Sequence, residues 1–117
     1  MSLRNAYVKF RTSATNGTEA RLILRNVSCP ERHRGFTAIV RDGTAEFDID
    51  RLAVGKEYVW TLVTCADSGA VQFEEHGRIT LFRKRGFTDA DDSPDDFGGA
   101  TISGDLTACQ VLKFSAV

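Results

Sequence analysis

The sequence has no long apolar run. No segment approaches the roughly 18–20 apolar residues of a membrane span. The N-terminal stretch carries Arg4 and Lys9, where a secretory signal peptide would be apolar. We therefore expect a soluble protein without membrane insertion and without an export signal.

Cysteine is scarce and widely spaced. Cys29, Cys65 and Cys109 lie 36 and 44 residues apart, which fits neither a CxxC metal half-site nor a dense disulfide framework. Free cysteines tend to be buried in folded proteins, so we expect buried free thiols. One bridge with an odd thiol is the alternative, and it would need an oxidising compartment.

Catalytic motifs are missing as well. His33 and His76 are the only histidines, whereas a zinc site needs about three or four convergent ligands. No G-x-S-x-G elbow is present for a Ser/His/Asp triad. A Cys65–His76 dyad stays open, although Cys65 ends a strand that we expect to be buried. The sequence favours a protein that is not an enzyme and that needs no cofactor, calcium excepted.

Charge of one sign is not in excess. Fifteen Lys and Arg against 16 Asp and Glu give a net charge of −1, and no aromatic residue is interleaved with the basic run Arg32-His33-Arg34. Nucleic-acid-binding domains usually carry a basic face, so we predict no nucleic-acid partner. At 117 residues the chain has the length of about one domain. We predict a single domain over residues 1–117, either alone or as the C-terminal domain of a longer protein.

The sequence does contain the alternation typical of β-strands. Thr44–Cys65 holds an alternating segment, a corner with glycine and a second long segment rich in β-branched and aromatic residues. No segment has the i, i+3, i+4, i+7 apolar spacing of a helix. Glu57–Cys65 is apolar on both faces, which predicts a central strand with Tyr58 and Trp60 in the core.

Turn residues separate the other strands. Asp42-Gly43 is the strongest hairpin signal, since both central residues of such a turn need φ above zero. A second hairpin is predicted around Glu75-His76-Gly77, and polar loops are predicted at Ser28–Gly35 and Arg85–Gly99. The predicted extended segments are Ala6–Arg11, Ala20–Val27, Phe36–Arg41, Thr44–Asp50, Glu57–Cys65, Ala70–Glu74, Arg78–Lys84, a short piece at Ala100–Ser103, and Ala108–Val117. About eight strands predict an all-β, antiparallel β-sandwich or jelly-roll-like fold.

The corner Leu52-Ala53-Val54-Gly55-Lys56-Glu57-Tyr58 resembles that of fibronectin type III modules. In that family a Leu, a turn with Gly and a Tyr six positions after the Leu precede a long strand. The resemblance implies that the Tyr58 hydroxyl hydrogen-bonds to the backbone of the corner. About three strands follow the corner here where the family has one, which predicts a larger sandwich.

The whole pattern of short strands, long polar loops and a strand-like C-terminus resembles the protruding domain of small non-enveloped virus capsids, as in nodavirus- and tombusvirus-like coat proteins. In those families the domain is a dimeric spike that contacts the host. The resemblance implies a homodimer on the virion surface with a host receptor or glycan as a further partner. An Ig-like or fibronectin type III-like binding module of a multidomain protein is the alternative.

An acidic segment within the predicted Arg85–Gly99 loop is a candidate calcium site. It holds Asp89, Asp91, Asp92, Asp95 and Asp96. Calcium prefers hard oxygen ligands, and a dense Asp loop supplies several. The alternative is a solvated loop tip that pairs with the neighbouring basic residues of 83–85.

Two further sets of residues are candidates for interaction. Arg32-His33-Arg34, with Arg25 and Arg41 nearby in sequence, is a candidate patch for an anionic glycan or phosphate, and a solvated loop is the alternative. Phe87 and Phe97 bracket the acidic segment and are candidate anchors for a partner, unless they fold back onto the sandwich.

Overall fold

The computed structural model describes residues 2–65, 71–88, 96–104 and 109–117, with the main chain alone at 72–73, 109–112 and 116. These residues form eight strands and no helix. The strands are β1 Leu3–Arg11, β2 Glu19–Asn26, β3 Cys29–Ile39, β4 Thr44–Ala53, β5 Glu57–Cys65, β6 Val71–Arg83, β7 Phe97–Gly104 and β8 Cys109–Ala116. In the described residues there is thus no helix of the length and hydropathy that a membrane span requires.

The strands build two antiparallel sheets that pack as a sandwich, as predicted. One sheet has the order β4-β1-β8 and the other has the order β3-β2-β5-β6-β7. Alternate side chains of both sheets point into one core, where the Phe10 ring meets Phe47 and Trp60 edge-on at centroid distances of 5.8 and 4.9 Å. Because Phe10 and Trp60 lie in different sheets, this contact joins the two layers. The central place of β5 and the burial of Tyr58 and Trp60 are confirmed.

The turn at Asp42-Gly43 is confirmed, but the long hairpin around it is wrong. Asp42 and Gly43 have φ of 52° and 75°, and the flanking Arg41 and Thr44 exchange backbone hydrogen bonds of 2.8 and 3.0 Å. Beyond that pair, β3 joins β2 and β4 joins β1. The strands separate because both carry apolar residues that pack against the same core from opposite layers.

The second predicted hairpin, around Glu75-His76-Gly77, is also wrong. β6 runs without interruption through these residues from Val71 to Arg83. Gly77 is required there by packing, since a Cβ atom would lie 2.2 Å from Cζ2 of Trp60 and 2.2 Å from the carbonyl oxygen of Ser103. Gly104, opposite Gly77 on β7, is in contact with the same indole. Gly77 therefore allows close packing of the Trp60 indole and does not mark a turn.

The predicted Ser28–Gly35 loop is wrong as well, because Cys29–Gly35 belongs to β3. Asn26 pairs with Cys29 and Arg25 pairs with His33, so residues 30–32 bulge out of the ladder between them. Pro30 has no N–H to donate to a ladder, and an edge strand with a bulge accommodates it. Polar composition here marks a sheet edge.

The long Arg85–Gly99 loop is shorter than predicted, since β7 begins at Phe97 and contains the whole Ala100–Ser103 piece. Residues 89–95 lie outside the described part of the chain, as do Ala70 and Ala108 at the ends of two predicted strands. Cys29 and Cys65 are free thiols, but they are half-buried rather than buried. The side chain of Cys109 lies outside the described residues.

Candidate interaction surface

The corner between β4 and β5 has the hydrogen bond that the fibronectin type III resemblance implies. The Ala53 N–H donates to the Tyr58 hydroxyl oxygen at 2.7 Å, and both residues are buried. Gly55 has φ of 84° inside the turn, a conformation that glycine adopts without strain. The tyrosine therefore fastens the end of one sheet to the start of a strand in the other.

The side of the five-stranded sheet that faces away from the core is called the outer face here. Its members alternate with the buried positions of β2, β5 and β6, and they lie opposite one another in the ladder. On the described strands they include Arg21, Ile23 and Arg25 of β2, His33, Gly35 and Thr37 of β3, Val59, Thr61 and Val63 of β5, and Glu74, His76 and Arg78 of β6. Its centre is apolar and half-buried, and its margins carry the charged side chains.

One row across the outer face is basic. The register places His33 opposite Arg25, Arg25 opposite Val59, and Val59 opposite Arg78. Adjacent strands lie about 4.8 Å apart, so the row spans roughly 15 Å. Arg78 is paired with Glu57 at 2.8 Å. Arg25 and His33 form no ion pair and no side-chain hydrogen bond with any residue that the structure describes.

The Arg32-His33-Arg34 run is split between two faces. Arg32 is exposed on the bulge next to His33, whereas Arg34 lies opposite Leu24 on the inward side. The Arg34 guanidinium donates to the Asp50 carbonyl oxygen and approaches the Asp50 carboxylate at 3.2 Å. It also lies 5.2 Å from the Phe36 ring centroid. Arg34 thus links β3 to β4.

The structure therefore places Arg25 opposite His33 at one end of the outer face, with Arg32 exposed on the bulge next to His33, and leaves Arg34 and Arg41 out of this set. Arg41 lies beyond the other end of β3, in the turn to β4. A groove of about 470 Å³ continues the surface toward β7. Its lining is Val59, His76, Gly77, Arg78, Ser103 and Gly104. The sequence alone does not reveal this groove, because Glu75-His76-Gly77 has the composition of a turn rather than of a strand.

The Cys65–His76 dyad that the sequence left open is not assembled. His76 lies opposite Thr61, and its Nδ1 atom is 3.2 Å from the Thr61 hydroxyl. Cys65 is four residues further along β5, which corresponds to about 13 Å of strand. The Nε2 atom of His76 lies 3.3 Å from the Glu74 carboxylate. These neighbours occupy both ring nitrogens of the histidine.

The acidic segment has one member in the described part of the chain, and it is buried. Asp96 is 0% exposed and lies 3.7 Å from the Arg4 guanidinium. Arg4 also donates to Ser2 Oγ at 3.0 Å and to the Leu3 carbonyl oxygen at 2.8 Å. The other four carboxylates, Asp89, Asp91, Asp92 and Asp95, lie outside the described residues. Within the described ranges no three His, Cys, Asp or Glu side chains converge as metal ligands do.

Neither of the two candidate aromatic anchors, Phe87 and Phe97, is fully exposed. Phe97 is half-buried and packs edge-on against Phe114, with ring centroids 4.8 Å apart. The Arg4 guanidinium lies 5.6 Å from the Phe97 ring, so Phe97 folds back onto the sandwich. Phe87 is half-buried in the turn after β6, where its N–H donates to the Lys84 carbonyl oxygen at 3.1 Å.

The three-stranded sheet has an acidic margin. Glu46, Asp48 and Asp50 point outward from β4, and the Tyr7 hydroxyl donates to Glu46 at 2.6 Å. This hydrogen bond to a carboxylate raises the pKa of Tyr7 above its usual value. The acidic margin and the basic row of the outer face therefore belong to different sheets.

Comparison of the chain with protein-family models, curated proteins and solved structures gave no match.

Proposed function

We propose that this chain is a non-enzymatic interaction and assembly domain whose outer face binds an anionic group on a partner surface. The observation that carries the proposal is the placement of Arg25 directly opposite His33, with Arg32 beside them. Arg25 and Arg32 are positively charged, and no described acid forms an ion pair with Arg25 or with His33. A sulfated or sialylated glycan, or a phosphate, would supply the missing negative charge.

In its most specific form, the proposal is a dimerising protruding domain of a small non-enveloped virus capsid, exposed on the virion surface and in contact with the host. The sandwich has four strands after the corner, β5 to β8, and this supports the capsid form over a seven-stranded module. The partners are then a second copy and a host receptor or glycan. A shell domain encoded upstream in the same reading frame would support this form, and a free-standing gene would contradict it.

The second candidate is an Ig-like or fibronectin type III-like binding module of a multidomain protein. The hydrogen bond between the Ala53 N–H and the Tyr58 hydroxyl favours it, because this bond is what the corner of that family implies. Both candidates use the same outer face, so the binding experiment tests the shared part of the proposal.

The test is binding of a heparin oligosaccharide, as a sulfated glycan, by wild type and two charge-reversal variants. Arg25→Glu removes the central cation of the basic row. We expect it to weaken binding at physiological salt by about tenfold or more, which corresponds to about 1.4 kcal/mol. The measurement is isothermal titration calorimetry with the salt concentration held constant.

Arg11→Glu is the matched control. Arg11 is exposed at the end of β1 in the other sheet, and its reversal changes the net charge by the same amount. We expect its affinity to stay within about twofold of wild type, since screening limits exposed charges beyond roughly 8–10 Å. Equal losses in both variants, or no binding by wild type, would contradict the proposal.

A further inference from the structure

We propose that the edge of β7 that faces away from β6 is the pairing surface between two copies of this chain, and that the two β7 strands lie antiparallel about a two-fold axis at Thr101. The inference rests on the assembly part of the proposed function and names its surface. It would join two five-stranded sheets into one continuous sheet.

The edges of the two sheets differ in how they are protected. Exposed edge strands are normally protected from pairing by charges, proline or bulges. β3 carries Pro30, a bulge and a run of charged side chains, and β4 carries an acidic row. β8 carries Lys113. β7, with the sequence FGGATISG, contains no charged residue and no proline.

The main chain of β7 has groups directed away from its neighbour. Leu81 of β6 donates its N–H to Lys56 and accepts from the Gly55 N–H, at 3.0 and 2.8 Å, so both its polar groups point toward the β5 side. Because these groups alternate along an antiparallel strand, Thr80 and Phe82 point toward β7. Their partners are Thr101 and Gly99.

It follows that the N–H and C=O groups of Ala100 and Ile102 point to the edge that faces away from β6. In the part of the chain that the structure describes, β6 is the one strand hydrogen-bonded to β7. The side chains of Ala100 and Ile102 are half-buried and pack at the margin of the core. The edge therefore offers both backbone hydrogen-bonding groups and partly exposed apolar surface.

This alternation limits the register of a self-pair. Hydrogen-bonded pairs must join residues that both point outward, so Ala100 lies opposite Ile102 of the second copy or opposite a residue shifted by two. The first choice uses the full length of the strand and places Thr101 opposite Thr101. It makes about four backbone hydrogen bonds at its centre and brings each Ile102 side chain against an alanine.

The uncharged sequence of β7 and its symmetric self-pairing register favour a second copy as the occupant. A foreign charged strand would gain no ionic partner on β7, whereas a second β7 meets no like-charge repulsion along the strand. Threonine opposite threonine is a favourable cross-strand pair. A two-fold pair of identical edges is also closed, so it ends at a dimer.

Disulfide trapping tests both the surface and the register. Thr101→Cys and Ser103→Cys are made separately in a background with Cys29, Cys65 and Cys109 changed to Ser, and each variant is checked by circular dichroism. In the proposed register the two Thr101 Cα atoms lie about 4.5 Å apart, within the range for a disulfide. The two Ser103 positions lie about 13 Å apart along the strand. Mild oxidation should therefore yield at least about tenfold more covalent dimer for Thr101→Cys.

Sedimentation of the wild type separates the outcomes. A dimer that Thr101→Cys traps and Ser103→Cys does not trap supports the inference. Equal trapping of both variants would overturn the register. A dimer that neither variant traps would overturn the β7 surface and leave the proposed assembly function intact. A monomer at every concentration would overturn both the β7 pair and the assembly part of the proposed function.

Discussion

Among single residues, the buried pair of Arg4 and Asp96 combines two charges in a protein whose other described ion pairs are largely exposed. Removing water from both groups is costly, and their attraction offsets that cost only while both are present. The pair links the first residues of β1 to the residue that precedes β7. Asp96 is therefore better explained as a structural carboxylate than as a calcium ligand.

We expect Asp96→Ala to lower the free energy of unfolding by about 3–5 kcal/mol, because it removes the buried carboxylate that lies 3.7 Å from the Arg4 guanidinium. The control is Asp50→Ala, whose carboxylate is 65% exposed and lies 3.2 Å from the Arg34 guanidinium. An exposed pair contributes about 0–1 kcal/mol. Urea denaturation of both variants provides the comparison, and similar losses would refute the assignment.

At the scale of elements, glycine has opposite uses in two strands of the same sheet. Gly77 lies under the Trp60 indole in β6, where a Cβ atom would overlap both the ring and the β7 backbone. Gly35 in β3 has nothing within 4 Å of the position of a Cβ atom. Neither has the left-handed backbone that requires glycine. The difference between them is packing alone.

We expect Gly77→Ala to destabilise the protein by about 1–3 kcal/mol, as overpacked cores do. Gly35→Ala is its matched control, and it should be neutral or stabilising by up to about 1 kcal/mol, since alanine loses less conformational freedom on folding. Thermal and chemical unfolding measure both changes. An equal effect of the two substitutions would show that the indole does not require a glycine.

The same elements show what the sequence could predict. The pattern of apolar residues in Thr44–Asp50 and Glu57–Cys65 follows the burial of their side chains. The buried face of β4 and the central place of β5 in its sheet could therefore be predicted from the sequence. The predictions around Gly77 and Pro30 are wrong, because glycine and proline are typical of turns. Here the glycine lies under an aromatic ring and the proline lies at a bulged sheet edge. The strands on either side of Asp42-Gly43 join different sheets. Which sheet each strand joins depends on packing between residues that are distant in sequence, and no local sequence pattern indicates it.

The candidate site was predictable only in part, for a related reason. A run such as Arg32-His33-Arg34 is a cluster in sequence, but successive side chains of a strand point to opposite faces. The grouping of Arg25 with His33 depends on the register between β2 and β3, which a bulge shifts. Arg78 and its groove belong to β6, two strands beyond β2 in the sheet.

For the whole molecule, the two sheets differ in charge, with an acidic margin on one and a basic row on the other. The net charge of −1 conceals this separation. With Asp96 held by Arg4, a calcium ion would depend on the four remaining acidic residues, Asp89, Asp91, Asp92 and Asp95. The structure therefore reduces the candidate calcium ligands from five aspartates to four.

That hypothesis predicts that millimolar Ca²⁺ raises the Tm, because a ligand that binds the folded state stabilises it by mass action. The double variant Asp91→Ala/Asp95→Ala should lose the rise, and Mg²⁺ should give a smaller one, since it dehydrates reluctantly. Differential scanning calorimetry measures the shift. No change with Ca²⁺, or a shift that survives the double substitution, would refute the hypothesis.

The contact of Trp60 with Gly77 and Gly104 also has a practical consequence. The chain has one tryptophan, and its indole is 2% exposed and touches the backbone of two neighbouring strands. Its fluorescence therefore comes from a single, known place, between the core and the strand proposed to pair. Loss of β7 from the sheet would admit water to the ring and shift the emission to longer wavelength, so the molecule contains its own optical probe of that edge.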